Sequence, residues 1–181
     1  MEVEKRLASI KLLACDVDGV LTDGSIIYGS HNMELKVFNI KDGLAMKVAA
    51  WSGFPVVWLT GRSSDAVAHR AAELDVQLFQ GANDKDAGLR MIAETRGVAL
   101  EEIAFIGDDL NDLPAQRICG LPIAVADSAP EVLEIAAYVT KATGGHGAIR
   151  ETIEFILRGQ GRWQAAMDNY LGRLRGTRSV Q

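Results

Sequence analysis

Leu12-Leu13-Ala14-Cys15 is an unbroken apolar run, and it gives way abruptly to Asp16-Val17-Asp18-Gly19. A strand that is apolar at every position has both faces covered, the situation of a central strand in a parallel sheet. Its acids then leave at the C-terminal end, where open α/β sheets keep their binding crevices. Alternation along the strand puts Asp16 and Asp18 on one side and turns Val17 to the other. Two carboxylates held that close repel unless a cation or a shared proton compensates. Asp and Gly are also ordinary turn residues. The stretch alone therefore admits two readings, a polar strand end or a Mg²⁺-dependent acid pair.

The same punctuation recurs downstream. Residues 55–59 form an apolar run that stops at Thr60-Gly61-Arg62, and 103–106 form another that stops at Gly107-Asp108-Asp109-Leu110-Asn111-Asp112. Shorter strand-like runs lie at 77–80, 121–125 and 138–139. Between them the apolar residues fall at helical spacing. Asp42 reads as the N-cap of a helix carrying Leu44, Ala45, Val48 and Ala49, which Trp51-Ser52-Gly53 ends. Further helices are expected over 63–74, from Asn83-Asp84-Lys85 to about 96, and over 131–136 and 148–157. Strands alternating with helices of this length predict a Rossmann-like three-layer α/β/α sandwich with a mainly parallel sheet.

Residues 24–39 break the alternation. Two β-prone runs flank the polar link Gly29-Ser30-His31-Asn32, the pattern of a hairpin. The second run sets Met33, Leu35 and Val37 against Glu34, Lys36 and Phe38, one face apolar and the other mixed. An isolated hairpin is marginal in water, so this one needs a surface to pack on, and another subunit is a candidate. No second block of sequence is large enough for a lid. The chain reads as one domain over 1–181, with a helical tail from about 159.

Composition sets outer limits. The hydrophobic fraction of 48% and charged fraction of 24% suit an ordinary globular chain. No apolar run nears the ~20 residues that cross a bilayer, and Met1-Glu2-Val3-Glu4-Lys5-Arg6 lacks the features of a signal peptide. A cytoplasmic protein without a membrane partner is expected. The net charge of −5 argues against nucleic acid, although five arginines against the single acid Asp168 mark the tail from Arg158 onward. Cys15 and Cys119 have no motif spacing and read as inert thiols rather than a disulfide or zinc site. Trp51, Trp58 and Trp163 read as core or interface aromatics.

Polar residues thus gather where predicted strands end: Asp16 and Asp18, Thr60, Lys85 at a following helix start, and Asp108, Asp109 and Asp112. The chemistry they suit is phosphoryl transfer, which needs charge neutralised, a nucleophile aligned and a proton supplied to the leaving oxygen. Carboxylates are proper ligands for Mg²⁺. A lysine and a threonine hydroxyl suit phosphate oxygens, and a carboxylate can itself be the nucleophile. Gly144-Gly145-His146-Gly147 reads either as a flexible loop or as backbone amides that hold an anion. Arg62 and Arg150 are candidates for a substrate carboxylate, which arginine grips with two hydrogen bonds.

This ordered set, over about residues 10–158, resembles the four motifs of the haloacid dehalogenase superfamily. The resemblance implies Asp16 as nucleophile and Asp18 as general acid/base, with Thr60, Gly61 and Lys85 holding the phosphoryl group. It implies Mg²⁺ on Asp16, the backbone carbonyl of Asp18, and Asp108, with Asp109 or Asp112 in support. A narrower resemblance lies in Asp23-Gly24, in 34–43 and in 144–151. These segments are similar to the capless tetrameric phosphatases acting on 3-deoxy-D-manno-octulosonate 8-phosphate, enzymes of lipopolysaccharide sugar synthesis. There the hairpin builds a homotetramer, and neighbouring subunits close the site. Relatives acting on the nine-carbon acid KDN 9-phosphate carry an acid at the place of Arg62, paired with a lysine at the place of Asp75. Arg62 and Asp75 look like that pair with its charges exchanged, which leaves both sugar acids open. A receiver-type signalling module also gathers Asp, Thr and Lys around Mg²⁺, but in another chain order.

Overall fold

The apolar runs become strands lying side by side. The computed structural model describes residues 2–176. Its strands are β1 (Leu12–Cys15), β2 (Ile27–Tyr28), β3 (Glu34–Leu35), β4 (Val56–Leu59), β5 (Gln77–Phe79), β6 (Ile103–Gly107), β7 (Leu121–Ala124) and β8 (Tyr138–Val139). Six of them form one parallel sheet in the order β5-β4-β1-β6-β7-β8, and β2 pairs with β3 in a separate antiparallel ribbon. After β1 the chain builds outward through β4 to β5, then returns past β1 to build β6, β7 and β8. The order therefore reverses beside β1, and such a switch point opens a crevice at the carboxyl ends of the strands.

The helices are α1 (Glu2–Ser9), α2 (Ile40–Trp51), α3 (Asp65–Leu74), α4 (Lys85–Arg96), α5 (Leu113–Ile118), α6 (Pro130–Ile135), α7 (Ala148–Gly159) and α8 (Trp163–Gly176). Alternating side chains divide the core in two. Leu13, Cys15, Val56, Trp58, Ala104 and Ile106 pack with α2, α3 and α7 on one face. Leu12, Ala14, Val57, Leu59, Ile103 and Phe105 pack with α4 and α5 on the other. The three-layer sandwich is the one expected. The six residues of α5 are too few for a helical period to show in sequence.

One expectation fails at α2. Its N-cap is Asn39, whose side chain accepts from the Lys41 N–H at 2.9 Å, three residues before Asp42. Asp42 is buried in the first turn, and its Oδ1 accepts the Arg150 N–H at 2.7 Å. It therefore serves α7, whose own N-cap, Gly147, has no side chain to offer. Burial pushes the Asp42 carboxyl up to about 6.

The hairpin is shorter than expected, with two residues per strand and a single 3₁₀ turn, Ser30–Asn32, in the link. Its orientation is the informative part. Met33, Leu35 and Val37 face outward, together with Ile27 and Tyr28, while Lys36 and Phe38 face the body. Phe38 stacks on Trp58 with ring centroids 6.1 Å apart. The apolar side of the ribbon is the exposed side.

The tail is a helix fastened to the body. Trp51 stacks on Tyr170 at 5.3 Å, Asn169 Nδ2 donates to the Trp51 carbonyl at 2.6 Å, and Arg162 donates to the Ser52 carbonyl at 3.1 Å. Arg158 lies over the Trp163 ring. Arg178 lies outside the described residues. Among the described residues no helix is long and apolar enough to cross a membrane.

Because Asp42 supplies the cap that Gly147 lacks, Asp42→Ala should cost about 1–2 kcal/mol of stability in a urea titration. Asp42→Asn keeps an acceptor for the Arg150 N–H and should cost clearly less. Equal losses would mean that the capping bond is not what Asp42 contributes.

Candidate active site

Asp16 follows β1 directly, and its N–H still pairs with β6, donating to the Ile106 carbonyl at 3.0 Å. The side chain is thereby held at the carboxyl edge of the sheet, nearly out of contact with water. Lys85 opens α4, where Asp84 caps the helix by accepting from the Asp86 and Ala87 N–H groups. Its ammonium lies 2.6 Å from Asp16 and 2.7 Å from Asp112, and all three residues are buried. Burial pulls the Lys85 ammonium down, but Asp16 and Asp112 more than reverse this and hold it above the ordinary lysine value.

Asp112 has two tasks. Its Oδ1 takes Lys85, and its Oδ2 accepts the Asp108 N–H at 2.8 Å, which fixes the loop after β6. Asp108 is thereby pressed against the turn after Asp18, where Gly19 has φ +88 and a Cβ would lie 2.0 Å from Asp108 Oδ2. Only glycine meets both demands. Gly144 closes on the same turn from above: a Cβ there would come within 1.8 Å of the Gly19 carbonyl oxygen. The Gly144 N–H donates to Asp127 and the Gly145 N–H to the Val20 carbonyl, so this loop clamps the turn after β1 and has no amide free there for an anion.

Asp16, Asp108 and Asp112 each offer a carboxylate oxygen within 4.8 Å of the others. Asp108 Oδ1 is buried and has no hydrogen-bond partner among the described residues. Burial, then Asp112, pushes the Asp16 carboxyl from 3.8 up to about 7, with Lys85 opposing. Burial, then Asp112 and Asp16, pushes Asp108 up to about 8. Three acids share one ammonium, and an orphaned buried oxygen points among them. An all-oxygen donor set short of positive charge fits Mg²⁺.

A cleft of about 270 Å³ opens over this cluster, lined by Asp16, Asp18, Thr60, Gly61, Arg62, Asp108 and Asp109, with Gly24 and Asn111. Thr60 is buried at the end of β4, its Oγ1 3.3 Å from the Arg62 N–H. A larger groove of about 630 Å³ lies at the opposite edge of the sheet, lined by Lys5, Arg6, Glu101 and Arg117 among others, and holds none of these acids. Chemistry rather than size singles out the smaller cleft.

Not every candidate arrives there. Arg150 is bonded to Glu154 one turn along α7 and lies over the Trp163 ring at 5.6 Å, so its guanidinium is used in packing. Asp109 lines the cleft but is exposed, and its carboxylate caps the short 3₁₀ turn that follows by accepting the Leu110 N–H. Asp112, not Asp109, completes the acid trio. Asp75 ends α3 at φ 55, ahead of β5, whereas Arg62 follows the end of β4. Parallel strands put these positions at opposite edges of the sheet, so they are no charge-exchanged pair.

Two residues that the sequence reading left out do arrive. Lys36 Nζ lies 2.5 Å from Asp18 Oδ1, and Glu34 Oε1 accepts from Arg62 Nη2 at 2.7 Å. Alternation had put Glu34 and Lys36 on one face, but nothing local said that this face turns inward.

The sheet order and the acid cluster at its carboxyl edge define a haloacid dehalogenase-like hydrolase, and the family model of that description matches residues 76–151. The 3-deoxy-D-manno-octulosonate 8-phosphate phosphatase of Yersinia pestis is 41% identical over 166 residues, 91% of this chain and 89% of that one. The enzyme of that name from Escherichia coli K12 is 40% identical over 91% of this chain and 88% of its own. The solved structure of the Moraxella catarrhalis phosphatase, in complex with magnesium, phosphate and KDO, superposes with a TM-score of 0.89. It is 40% identical and covers 93% of this chain and 98% of that one. The chain belongs to the family of 3-deoxy-D-manno-octulosonate 8-phosphate phosphatases. With a hydrolase family established, the receiver-type reading loses its footing.

The raised carboxyls set a pH dependence. Between about pH 4 and 8 the metal-free fold binds more protons at Asp16 and Asp108 than the unfolded chain, whose acids titrate near 3.8. Stability should therefore fall as pH rises through that window, by on the order of a few kcal/mol. Mg²⁺ takes the ionised acids and should restore it, most strongly at the alkaline end. Thermal unfolding at pH 5 and 8, with Mg²⁺ and with chelator, checks this; a melting temperature indifferent to both would contradict it.

Proposed function

We propose that the chain is a Mg²⁺-dependent phosphatase that releases phosphate from 3-deoxy-D-manno-octulosonate 8-phosphate, with Asp16 as the nucleophile. The observation that carries the reading is the Asp16 carboxylate, buried at the base of the cleft and held 2.6 Å from the Lys85 ammonium beside the unpartnered Asp108 oxygen. Asp16, Asp108, Asp112 and the Asp18 carbonyl would hold Mg²⁺, which when bound neutralises the charge of the phosphoryl oxygens.

The chain's own groups do the rest. The Asp16 carboxylate attacks phosphorus as the bond to the sugar oxygen breaks, leaving an aspartyl phosphate. Asp18 gives its proton to the departing oxygen, then takes one from the water that attacks the aspartyl phosphate. That second displacement releases phosphate and regenerates Asp16. Thr60 and Lys85 donate to the phosphoryl oxygens, with Gly61 allowing close backbone approach. Arg62, half-exposed at the mouth of the cleft, is the group suited to the substrate's carboxylate. With Asp75 on the far edge, Arg62 alone speaks to the choice of sugar acid, and it favours the eight-carbon substrate.

The outward apolar face of the hairpin, with Ile27, Tyr28, Leu35 and Val37 exposed, is the surface a homotetramer would cover. In this reading the enzyme works in the cytoplasm, on the sugar acid of lipopolysaccharide.

Asp16→Asn should cut phosphate release by at least about 1,000-fold while the protein still binds Mg²⁺. Release that survives the substitution would sink the mechanism. In kcat/KM measured side by side, 3-deoxy-D-manno-octulosonate 8-phosphate should exceed KDN 9-phosphate; the reverse order would reassign the substrate.

A further inference from the structure

We propose that Lys36, carried in by the hairpin, is a positioning residue for Asp18, and that it acts on proton transfer to the leaving group. The inference rests on the reading of Asp18 as the acid/base. Lys36 Nζ lies 2.5 Å from Asp18 Oδ1 and 3.4 Å from Glu34 Oε1. Arg62 Nη2 lies 2.7 Å from that same Glu34 oxygen, and its Nε is 3.6 Å from Asp18 Oδ2. The four charges close a ring of alternating sign that joins the turn after β1, the hairpin and the end of β4.

Within the ring, Lys36 is the group that holds Asp18. Its side chain is 0% exposed, against 45% for Arg62, and its contact is the shorter by about an ångström. A buried ammonium is costly unless it is paired, so its place against a carboxylate is not incidental. Asp18 sits on a tight turn in which the Val20, Leu21 and Thr22 N–H groups all converge on the Val17 carbonyl, and none of those bonds fixes the Asp18 side chain. Lys36 does. With Oδ1 engaged, Oδ2 is the oxygen turned toward Arg62 and left to exchange a proton with the sugar oxygen. In that step the Asp18 O–H bond breaks and the sugar O–H bond forms as phosphorus–oxygen cleavage proceeds; Lys36 keeps its own proton throughout.

A leaving-group comparison separates this role from a structural one. A sugar alkoxide needs a proton to depart, whereas p-nitrophenolate does not. Lys36→Met should lower the single-turnover rate of sugar release from 3-deoxy-D-manno-octulosonate 8-phosphate by about tenfold or more, part of the roughly 100- to 10,000-fold that general-acid catalysis contributes. On p-nitrophenyl phosphate it should lower the single-turnover release of p-nitrophenolate by less than about threefold, since this step precedes the hydrolysis of the aspartyl phosphate that Asp18 also assists, and Lys36→Arg should recover most of the loss. Equal losses on both substrates would overturn the proposal, as would weaker binding of the sugar phosphate with that single-turnover rate intact. Lys36→Gln, which keeps a polar side chain, reads the same split should the Met variant fail to fold. Asp18→Asn, run alongside, should show the split more strongly. If it does and the Lys36 variants do not, only the role of Lys36 falls; if Asp18→Asn shows none, the acid/base reading falls and takes this proposal with it.

Discussion

The Lys85 ammonium, enclosed between Asp16 and Asp112, is the interaction on which the site depends. An ammonium with no access to water is tolerable only against carboxylates, and these two come from the ends of different strands. Lys85 thereby ties α4 to β1 and to the loop after β6, and it aligns the acid proposed as nucleophile. One positive charge does not balance Asp16, Asp108 and Asp112 together. Burial first, and then this deficit, raises the Asp16 and Asp108 carboxyls, and the same deficit makes the cluster a fit for a divalent cation. The charge that stabilises the metal-free fold and the charge that invites Mg²⁺ are two sides of one imbalance.

Close backbone packing keeps that imbalance in place. Gly19 lets Asp108 approach the turn after β1, and Gly144 lets a second loop press on the same turn. Asp42 anchors that loop from α2 by capping α7. A continuous path of packed groups thus runs from a helix on one face of the sheet to the catalytic edge. On the other side of the cleft, the hairpin delivers Glu34 and Lys36 inward while its apolar face stays exposed. An inward polar face and an outward apolar one agree with the proposed double role of this element, serving the site and a neighbouring subunit at once.

Much of this was legible along the chain because strand ends are local events. An apolar run that stops at an acid places that acid at the sheet edge whatever the rest of the fold does, and so Asp16, Thr60 and Asp108 were found where they are. Lys85 followed from a helix start. Asp42 was misread because its sequence neighbours suit an N-cap, while the helix that needs it begins 106 residues after α2's Asp42 position, at Ala148. Arg150 was assigned to substrate on the chemistry of arginine alone, and its neighbours Glu154 and Trp163 claim it instead. Asp75 was paired with Arg62 by analogy, and parallel strand direction separates them.

By itself, then, the sequence determined the layered α/β class, the motif order and the identity of the acids, since each depends on spacing within one strand or helix. Only the tertiary structure decided that Asp112 rather than Asp109 joins Asp16 and Asp108, and that Lys36 rather than a residue of the four motifs holds Asp18. Those choices depend on which side chains from distant segments meet in space. Local pattern can mark a face as polar or apolar, but only the packed fold says what that face meets.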